Sequence, residues 1–333
     1  MAAIAGRLTK LLQTIALQDV TLEKVEKALV CLGQHYIHKG LDLINVENII
    51  DFEPVDRKKW HWNTMFFVAL FHIFAIWAVF TFSWANLFAL LATWWIAGSW
   101  GIGLGYHRLY THRGFKSPRW LEHFLAVCGT LALQSGPISW VTTHRLHHAF
   151  TETDRDPHSP FNGIFWAHMG WIFRGTAQVQ PQSVRERYSP DLLRDPFLVF
   201  IDKYYYVTAI LVGGVLFAIG GWSMVLAGIF LRTVIGWHST WLVNSATHLW
   251  GSRRFDTRDT SRNNALIAAI TFGEGWHNNH HAIPRSARHG LTAAEVDVNW
   301  IQLKALEKVG LVKELYGYDI KAEAAKDAMK KAA

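Results

Sequence analysis

The chain has 333 residues, is 50% hydrophobic, contains 17 tryptophans and carries a formal net charge of +7. Its basic residues are scattered, without a Lys/Arg block or an aromatic-basic sheet motif, so the charge does not indicate nucleic-acid binding. The two cysteines, Cys31 and Cys128, have no paired spacing, which argues against a disulfide framework.

Residues 1–59 mix apolar and charged positions in the manner of amphipathic helices. We therefore predict that this segment is cytosolic and lies on a membrane surface. Residues 60–255 are predicted to form a transmembrane domain. The more polar residues 256–333 are predicted to form a cytosolic C-terminal cap that ends in a frayed helix.

Two long uncharged runs predict membrane-spanning hairpins. From Trp60 through His107 there is no Asp, Glu, Lys or Arg across 48 residues, which is enough for two helices and a turn near residues 82–86. A second uncharged run, Tyr204 to Leu231, continues through Arg232 into another apolar helix, with a turn expected near residues 220–222. A charge within a span is costly, so Arg232 is expected to be a paired structural or site-lining residue.

The distribution of basic residues predicts the orientation. Both predicted hairpin turns lack Lys and Arg, so the positive-inside rule places both termini and residues 108–203 on the cytosolic side. The apolar segment 120–133 is too short to span comfortably and is expected to be an in-plane or re-entrant helix. A large soluble enzyme with wholly apolar buried helices is the alternative to this membrane interpretation.

Histidines cluster in three places that share this side of the membrane. His144, His147 and His148 repeat the i, i+3, i+4 spacing of His277, His280 and His281, and each triplet falls on one helical face. A third cluster contains His107 and His112. Eight clustered imidazoles exceed the three or four ligands of one zinc ion, so two metal ions are expected.

The identity of the metal stays open from ligand type alone, because imidazole binds iron, zinc, copper and nickel. A site against hydrocarbon favours a lipid substrate and a redox metal that uses oxygen. His248 and Asn244 lie on one helical face directed toward the clusters. Glu274 is expected to support a ligand, and among the remaining histidines His158 and His168 are the strongest candidates for supporting ligands.

Five motifs resemble the membrane fatty-acyl desaturases of the Δ9 type. They are Gly-Tyr-His-Arg-Leu-Tyr-Thr-His-Arg (105–113), Trp-Val-Thr-Thr-His-Arg-Leu-His-His (140–148), Asp-Arg-Asp-Pro-His-Ser (154–159), Trp-Leu-Val-Asn-Ser-Ala-Thr-His (241–248) and Gly-Glu-Gly-Trp-His-Asn-Asn-His-His (273–281). The motif at 273–281 and the residues after it most resemble cyanobacterial and plant acyl-lipid desaturases. The similarity covers roughly residues 60–315.

The resemblance implies an all-α fold, with four transmembrane helices in two hairpins under a cytosolic helical cap that holds two irons. The implied metal ligands are His107, His112, His144, His147, His148, His248, His277, His280 and His281, with Asn244 through a water. Asp156, His158 and Glu274 would support them. An acyl tunnel would bend at Gln134, Trp140, Thr240 and Trp241.

The implied reaction is the O2-dependent insertion of a cis double bond, at the Δ9 position, into a saturated acyl chain. The site would face the cytosolic side of a bacterial inner or thylakoid membrane, or of a plastid or ER membrane. Animal acyl-CoA desaturases carry Arg-Asp and Arg-Lys pairs where this chain has Thr142-Thr143 and Gly175-Thr176, which favours a lipid-linked acyl chain over acyl-CoA.

A separate electron donor, ferredoxin or cytochrome b5, is expected because no His-Pro-Gly-Gly haem motif occurs. Two other functions remain as alternatives. A lipid hydroxylase would use the same metal centre, and a histidine-rich metal transporter would need ionisable residues along its spans.

Overall fold

A computed structural model describes residues 58–174 and 180–320, all within the larger of the chain's two units, residues 53–333. Every regular element in these ranges is helical, and no β-strand occurs among them. The predicted all-α class is therefore confirmed for this part of the chain. The predicted N-terminal segment, apart from its last two residues, and the predicted C-terminal frayed helix lie outside the described residues.

Three helical stretches are long and apolar enough to cross a membrane: Trp62–Val79, Trp84–Thr111 and Val207–Leu249. The first is helix α1. The second is α2 (Trp84–Trp94), which continues as a π-helix over Trp95–Thr111. The third contains α9 (Val207–Val225), a π-helical segment Leu226–Leu231, and α10 (Arg232–Leu249).

Chain reversals occur where the sequence predicts turns. Between α1 and α2, the Ser83 hydroxyl accepts a hydrogen bond from the Asn86 amide at 3.1 Å and caps the second helix. Within the third stretch, Gly220 and Gly221 leave helical geometry, and Gly221 has φ = 67°. Because a Cβ atom disfavours positive φ, glycine suits this break.

The remaining helices are short and amphipathic or polar. Proline at the first or second position pre-sets the helical φ of Pro137–Phe150, Pro190–Leu193 and Pro196–Lys203. The side chains of Asn264 and Asp297 cap the helices Ala265–Ile270 and Val298–Lys308. The predicted helix at 120–133 is present as helix α3, Arg119–Leu131. The bounds of the other short helices are α4 Pro137–Phe150, α5 Trp171–Phe173, α6 Gln182–Tyr188, α7 Pro190–Leu193, α8 Pro196–Lys203, α11 Ala265–Ile270, α12 His277–Ala282 and α13 Val298–Lys308, with a 3-10 turn at Pro160–Asn162 and a π-helical turn at Trp166–Gly170.

Close packing of α3 against the π-helix of the second stretch depends on glycine. A Cβ at Gly101 would lie 2.5 Å from the Cys128 carbonyl carbon, and one at Gly105 would lie 2.9 Å from the Leu125 oxygen. The two backbones can therefore approach only because these positions lack side chains. This contact directs the end of the π-helix, which carries His107, into the group of short helices.

Arg232 is a structural residue within the third stretch, and it also lines a cavity, in agreement with the prediction for it. Its side chain is buried, and Nη1 donates to the Leu131 carbonyl at 2.8 Å while Nε donates to Gly228 at 3.3 Å. Leu131 ends α3, so the guanidinium charge interacts favourably with that helix's C-terminal carbonyls.

Candidate metal centre

Five of the predicted histidine ligands form one cluster, in which one ring nitrogen of each member lies within 4.8 Å of those of the others. The π-helix and the residue after it, helix α4 and helix α12 each contribute. The Nε2 atom of His280 lies 3.1 Å from that of His107 and 3.0 Å from that of His148. The members are His107, His112, His144, His148 and His280.

The other four predicted histidines form a second cluster with the same 4.8 Å limit: His147, His248, His277 and His281. Helices α4, α10 and α12 supply them. The Nε2 atoms of His248 and His277 are 3.2 Å apart, and those of His147 and His281 are 3.4 Å apart. The two adjacent histidines of each triplet therefore belong to different clusters. His147 and His281 belong to one cluster, and His148 and His280 belong to the other.

Carboxylates determine which ring nitrogens carry hydrogen. His147 Nδ1 donates to Asp156 at 3.0 Å, His281 Nδ1 to Asp259 at 2.7 Å, and a carboxylate can only accept. The Nε2 atoms of these two rings then face each other across 3.4 Å. Because the Nδ1 atoms are already engaged by carboxylates, the facing Nε2 atoms are free to share a cation, so the donor chemistry of this cluster fits a bound metal ion.

Two further ligand candidates have the same support. His248 Nδ1 donates to Glu152 at 3.0 Å, and His107 Nδ1 donates to Glu274 at 2.5 Å. A carboxylate partner fixes the tautomer and orientation of a metal-binding imidazole and raises its basicity. In the five-histidine cluster, the buried His112 Nε2 has no hydrogen-bond partner among the described residues, as expected of an atom reserved for a metal.

Glu274 connects the five-histidine cluster to a buried polar network. Its Oε1 accepts hydrogen bonds from Arg108 at 2.9 Å and from Asn299 at 2.8 Å, while Oε2 contacts both His107 and His289. Burial alone would raise the pKa of Glu274, but the Arg108 charge and the nearby histidines hold that pKa well below its usual range. Glu274 is therefore an anion that orients His107.

Four of the clustered imidazoles outside the apolar stretches, those of His144, His148, His277 and His281, are held in the neutral, metal-binding form. Burial is the largest cause and repulsion among the rings is the next, and together they place the pKa of His144, His148 and His277 well below the ordinary histidine value. Burial lowers the pKa of His281 to about 4, although its bond to Asp259 opposes the shift. Protons therefore do not compete with metal for these nitrogens near neutral pH.

A cavity of 1210 Å³ reaches the clusters, with His144 and Asn244 in its wall. The four residues predicted to bend an acyl tunnel line it. Gln134 Nε2 donates to the Thr240 hydroxyl at 2.9 Å, and the Trp140 indole donates to Gln134 Oε1 at 3.3 Å. Trp140 also stacks on the His144 ring, with centroids 4.9 Å apart.

A smaller cavity of 70 Å³ continues past these hydrogen-bonded side chains. It is lined by Asn244, by ligand candidates of both clusters and by Arg232. Gln134, Trp140 and Thr240 line both cavities and so form the partition between them. Asn244 therefore lies beside the clusters, where a water could join its side chain to a metal.

The structure brings together the nine histidines predicted as ligands, with Asn244, Asp156, His158 and Glu274 beside them. His158 packs on His147, with ring centroids 4.3 Å apart, and burial lowers its pKa to about 3. One expectation was wrong: His168 contacts His238 and Ser245 instead of a ligand candidate. Sequence reasoning also missed Glu152 and Asp259, because neither has a regular spacing from the histidine it contacts.

Comparison with known proteins agrees with this arrangement. The profile of the family described as "Fatty acid desaturase" matches residues 82–309. The chain is 46% identical over 255 residues to an sn-2 palmitoyl-lipid 9-desaturase of Nostoc sp. (strain 36), covering 76% of this chain and 90% of that protein. It is 48% identical over 251 residues to an sn-1 stearoyl-lipid 9-desaturase of Anabaena variabilis, covering 75% and 91%.

A relative named for a different carrier is also similar. An acyl-CoA C20 Delta5-desaturase of Anemone leveillei is 39% identical over 261 residues, covering 78% of this chain and 83% of that protein. The profile match covers more than half of the chain, and it includes all nine clustered histidines. The chain is therefore a member of the fatty acid desaturase family, an oxidoreductase whose buried histidine clusters are suited to bind metal.

Proposed function

We propose that this desaturase uses two iron ions and O2 to introduce a cis Δ9 double bond into the acyl chain of a membrane lipid. The observation that carries the proposal is the division of nine imidazoles into clusters of five and four, in each of which one nitrogen per ring lies within 4.8 Å of those of the other members. One ion would be held by the cluster around His280. The other would be held by the cluster around His277, with Asn244 contributing through a water.

Bound iron would supply oxygen activation and the removal of hydrogen from two neighbouring methylenes. Overall, the acyl chain loses two hydrogen atoms. Together with two electrons from the external donor and two protons, these reduce O2 to two water molecules. The protein residues hold the ligand geometry and exclude bulk water. The carboxylates Glu152, Asp156, Asp259 and Glu274 keep four imidazoles in the orientation and tautomer that ligation needs.

The partition formed by Gln134, Trp140 and Thr240 would position the substrate. Methylenes offer no polar group to recognise, so an apolar tunnel selects the reacting carbons by depth and shape. The acyl chain would pass from the large cavity into the small one beside His144. The hydrogen bonds among these three residues would keep the bend rigid.

Four membrane crossings are proposed: α1, α2 with its π-helix, α9, and the helix after Gly221. Large apolar side chains on α1 are exposed, including Phe66 at 62% and Ile76 at 63%, as expected for a lipid-facing surface. The 43 residues of the third stretch exceed the roughly 20 needed for one crossing, and their break lies near the middle. In this topology both clusters face the cytosol.

A lipid-linked acyl chain is the proposed substrate in preference to acyl-CoA. Thr142 and Thr143, at positions where animal acyl-CoA desaturases carry Arg and Asp, are buried, and the Thr142 hydroxyl contacts that of Ser189 at 2.8 Å. Arg174 is engaged, with its guanidinium 3.7 Å from the Trp60 ring centre. The neighbouring Gly175 and Thr176 lie outside the described residues.

The reducing partner is proposed to be ferredoxin or cytochrome b5, docking on the basic cytosolic face. Arg113, directly after the ligand candidate His112, is exposed, although it is paired with Asp191 at 2.8 Å. Salt should slow electron delivery if charge attraction guides docking.

Expression in a yeast strain that lacks its own desaturase tests the function. Mass spectrometry of separated lipid classes should find a Δ9 cis double bond in glycerolipids before it appears in acyl-CoA. An exclusively hydroxylated product would establish the hydroxylase alternative. Product confined at first to acyl-CoA would overturn the choice of carrier, and the His147→Ala variant is the inactive control.

A further inference from the structure

We propose that the groove between α1 and α9 binds the second acyl chain of a diacyl glycerolipid while the first chain reaches the metal centre. The inference rests on the proposed function and deepens it, because it requires a substrate with two chains. The groove is defined here by Phe71 and Phe74 of α1, Gly214 and Phe217 of α9, and Phe230 at its base.

The position of the groove follows from helix packing. Both α1 and α9 pack against the π-helical segment Leu226–Leu231, so this segment lies between them and forms the base. Phe230 contacts Phe71 and Phe74, with ring centroids 4.8 Å and 4.7 Å apart. The base is therefore filled with aromatic side chains, while the space above it stays open.

The groove is continuous with the cavity that reaches the histidines. A single cavity of 1210 Å³ is lined both by His144 and Trp140 and by Phe74 and Phe217. This volume exceeds the roughly 300–1,000 Å³ of typical small-ligand pockets. Its lining residues lie in two places, beside the clusters and in the groove between the spanning helices. We assign one acyl chain of a glycerolipid to each of these two branches of the cavity.

The region where the branches meet suits a glycerol backbone with ester groups. Asn63 and Thr64 lie at the start of α1, and Tyr205 lies just before α9, so polar groups surround the end of the groove at the proposed membrane surface. The charge of Arg185 is neutralised there by an ion pair with Asp202. The described lining therefore offers neutral hydrogen-bonding groups close to where both chains would begin.

Glycine gives the α9 wall its depth. A Cβ atom at Gly214 would meet no atom within 4 Å, and one at Gly213 would meet only Ile229 Cγ1, at 3.7 Å. The protein can therefore accept a larger side chain at Gly214 without a clash, and that side chain would occupy the groove. Phe217, one turn further along α9, is 58% exposed, so its ring is available to contact lipid.

The Gly214→Leu variant tests the proposal, with Val215→Leu as the matched control. Val215 is the next residue of the same helix, is 59% exposed and does not line the cavity. The holoenzyme would be assayed with a distearoyl lipid and with the stearoyl lyso-lipid of the same headgroup. We expect Gly214→Leu to lower the ratio of kcat/KM for the diacyl lipid to that for the lyso-lipid by about tenfold or more.

Val215→Leu should leave that ratio at the wild-type value. An equal loss on both substrates would mean that Gly214→Leu disturbs the fold or the reacting chain, and the proposal would be wrong. An unchanged ratio in Gly214→Leu would also overturn it.

Photo-crosslinking separates this inference from the function on which it rests. A diacyl lipid with a diazirine in only one chain, positioned as the non-reacting chain, should label peptides of α1 and α9, and Gly214→Leu should reduce that labelling. Labelling of residues 1–59 instead would show that another part of the chain covers the groove. Groove labelling without any unsaturated product would retain the inference and refute the proposed function.

Discussion

Replacing Asp259 by Asn should weaken metal binding in the four-histidine cluster and leave the five-histidine cluster almost intact. Asp259 accepts the Nδ1 hydrogen of His281 at 2.7 Å, and this contact lowers the carboxyl pKa despite partial burial. An asparagine oxygen can still accept that hydrogen bond, so the geometry should survive. The lost charge makes the imidazole a poorer donor to the metal.

The expected loss is about tenfold in metal affinity, near the lower end of the 10–100-fold range for such supporting residues. Tenfold corresponds to about 1.4 kcal/mol. Asp256→Asn is the matched control, because Asp256 lies in the same loop and is fully exposed, and its one ion pair among the described residues is a 3.6 Å contact with Arg253. That variant should bind metal as the wild type does.

The assay is a chelator titration of purified holoprotein, with iron per chain measured by mass spectrometry. Wild-type protein should release its two ions over one chelator range, and Asp259→Asn should release one ion at about tenfold lower chelator concentration. Equal release from both clusters, or release identical to that of Asp256→Asn, would refute the assignment of His281 to a separate four-histidine site.

Three other perturbations have definite expected outcomes. His280→Ala should abolish unsaturated product while membrane insertion persists, and retained activity in lipid analysis would remove His280 from the ligand set. Thr240→Val removes the acceptor of the 2.9 Å bond from Gln134 and should broaden the distribution of double-bond positions measured by mass spectrometry, so an unchanged distribution would contradict the bend. Burial raises the pKa of Asp191, but hydrogen bonds from Arg145 and Arg113 outweigh this and lower the pKa to about 2. Ionised Asp191 should therefore stabilise the protein above about pH 4, and this stabilisation should be lost as the pH falls toward 2. In thermal unfolding measured across this pH range, the midpoint temperature of Asp191→Asn should fall less steeply than that of the wild type.

The helical placement of the ligand histidines could be predicted from sequence because it depends on local periodicity. The i, i+3, i+4 spacing puts three imidazoles on one helical face whatever the surrounding fold. Both histidine triplets do lie on helices, Pro137–Phe150 and His277–Ala282. The chain reversals near residue 82 and at Gly220–Gly221 were also predictable, because charge-free segments much longer than a bilayer must turn.

The assignment of each histidine to one of two clusters could not be predicted from sequence. His147 and His148 are neighbours in the chain, yet they belong to different clusters because adjacent helical positions diverge by about 100° and meet different partner helices. The support from Glu152 and Asp259 depends on contacts across 96 and 22 residues of chain, which have no local signature. The same is true of His168, which pairs with His238 across 70 residues.

The π-helical geometry over Trp95–Thr111 was likewise absent from the prediction. The apolar run indicates a helix there, but it does not distinguish α-helical from π-helical winding. The close approach of α3, which glycines at 101 and 105 permit, and the contact of His107 with Glu274 likewise depend on distant parts of the chain. Sequence periodicity therefore predicts the two histidine triplets, the family resemblance adds the other ligand candidates, and tertiary packing determines how they cluster.

Anomalous diffraction at the iron edge, from crystals of the purified holoenzyme, would test the central claim most directly. Two iron peaks should appear, one among His107, His112, His144, His148 and His280, and one among His147, His248, His277 and His281. A single peak, or two peaks that respond at the zinc edge in protein that still makes unsaturated lipid, would contradict the account.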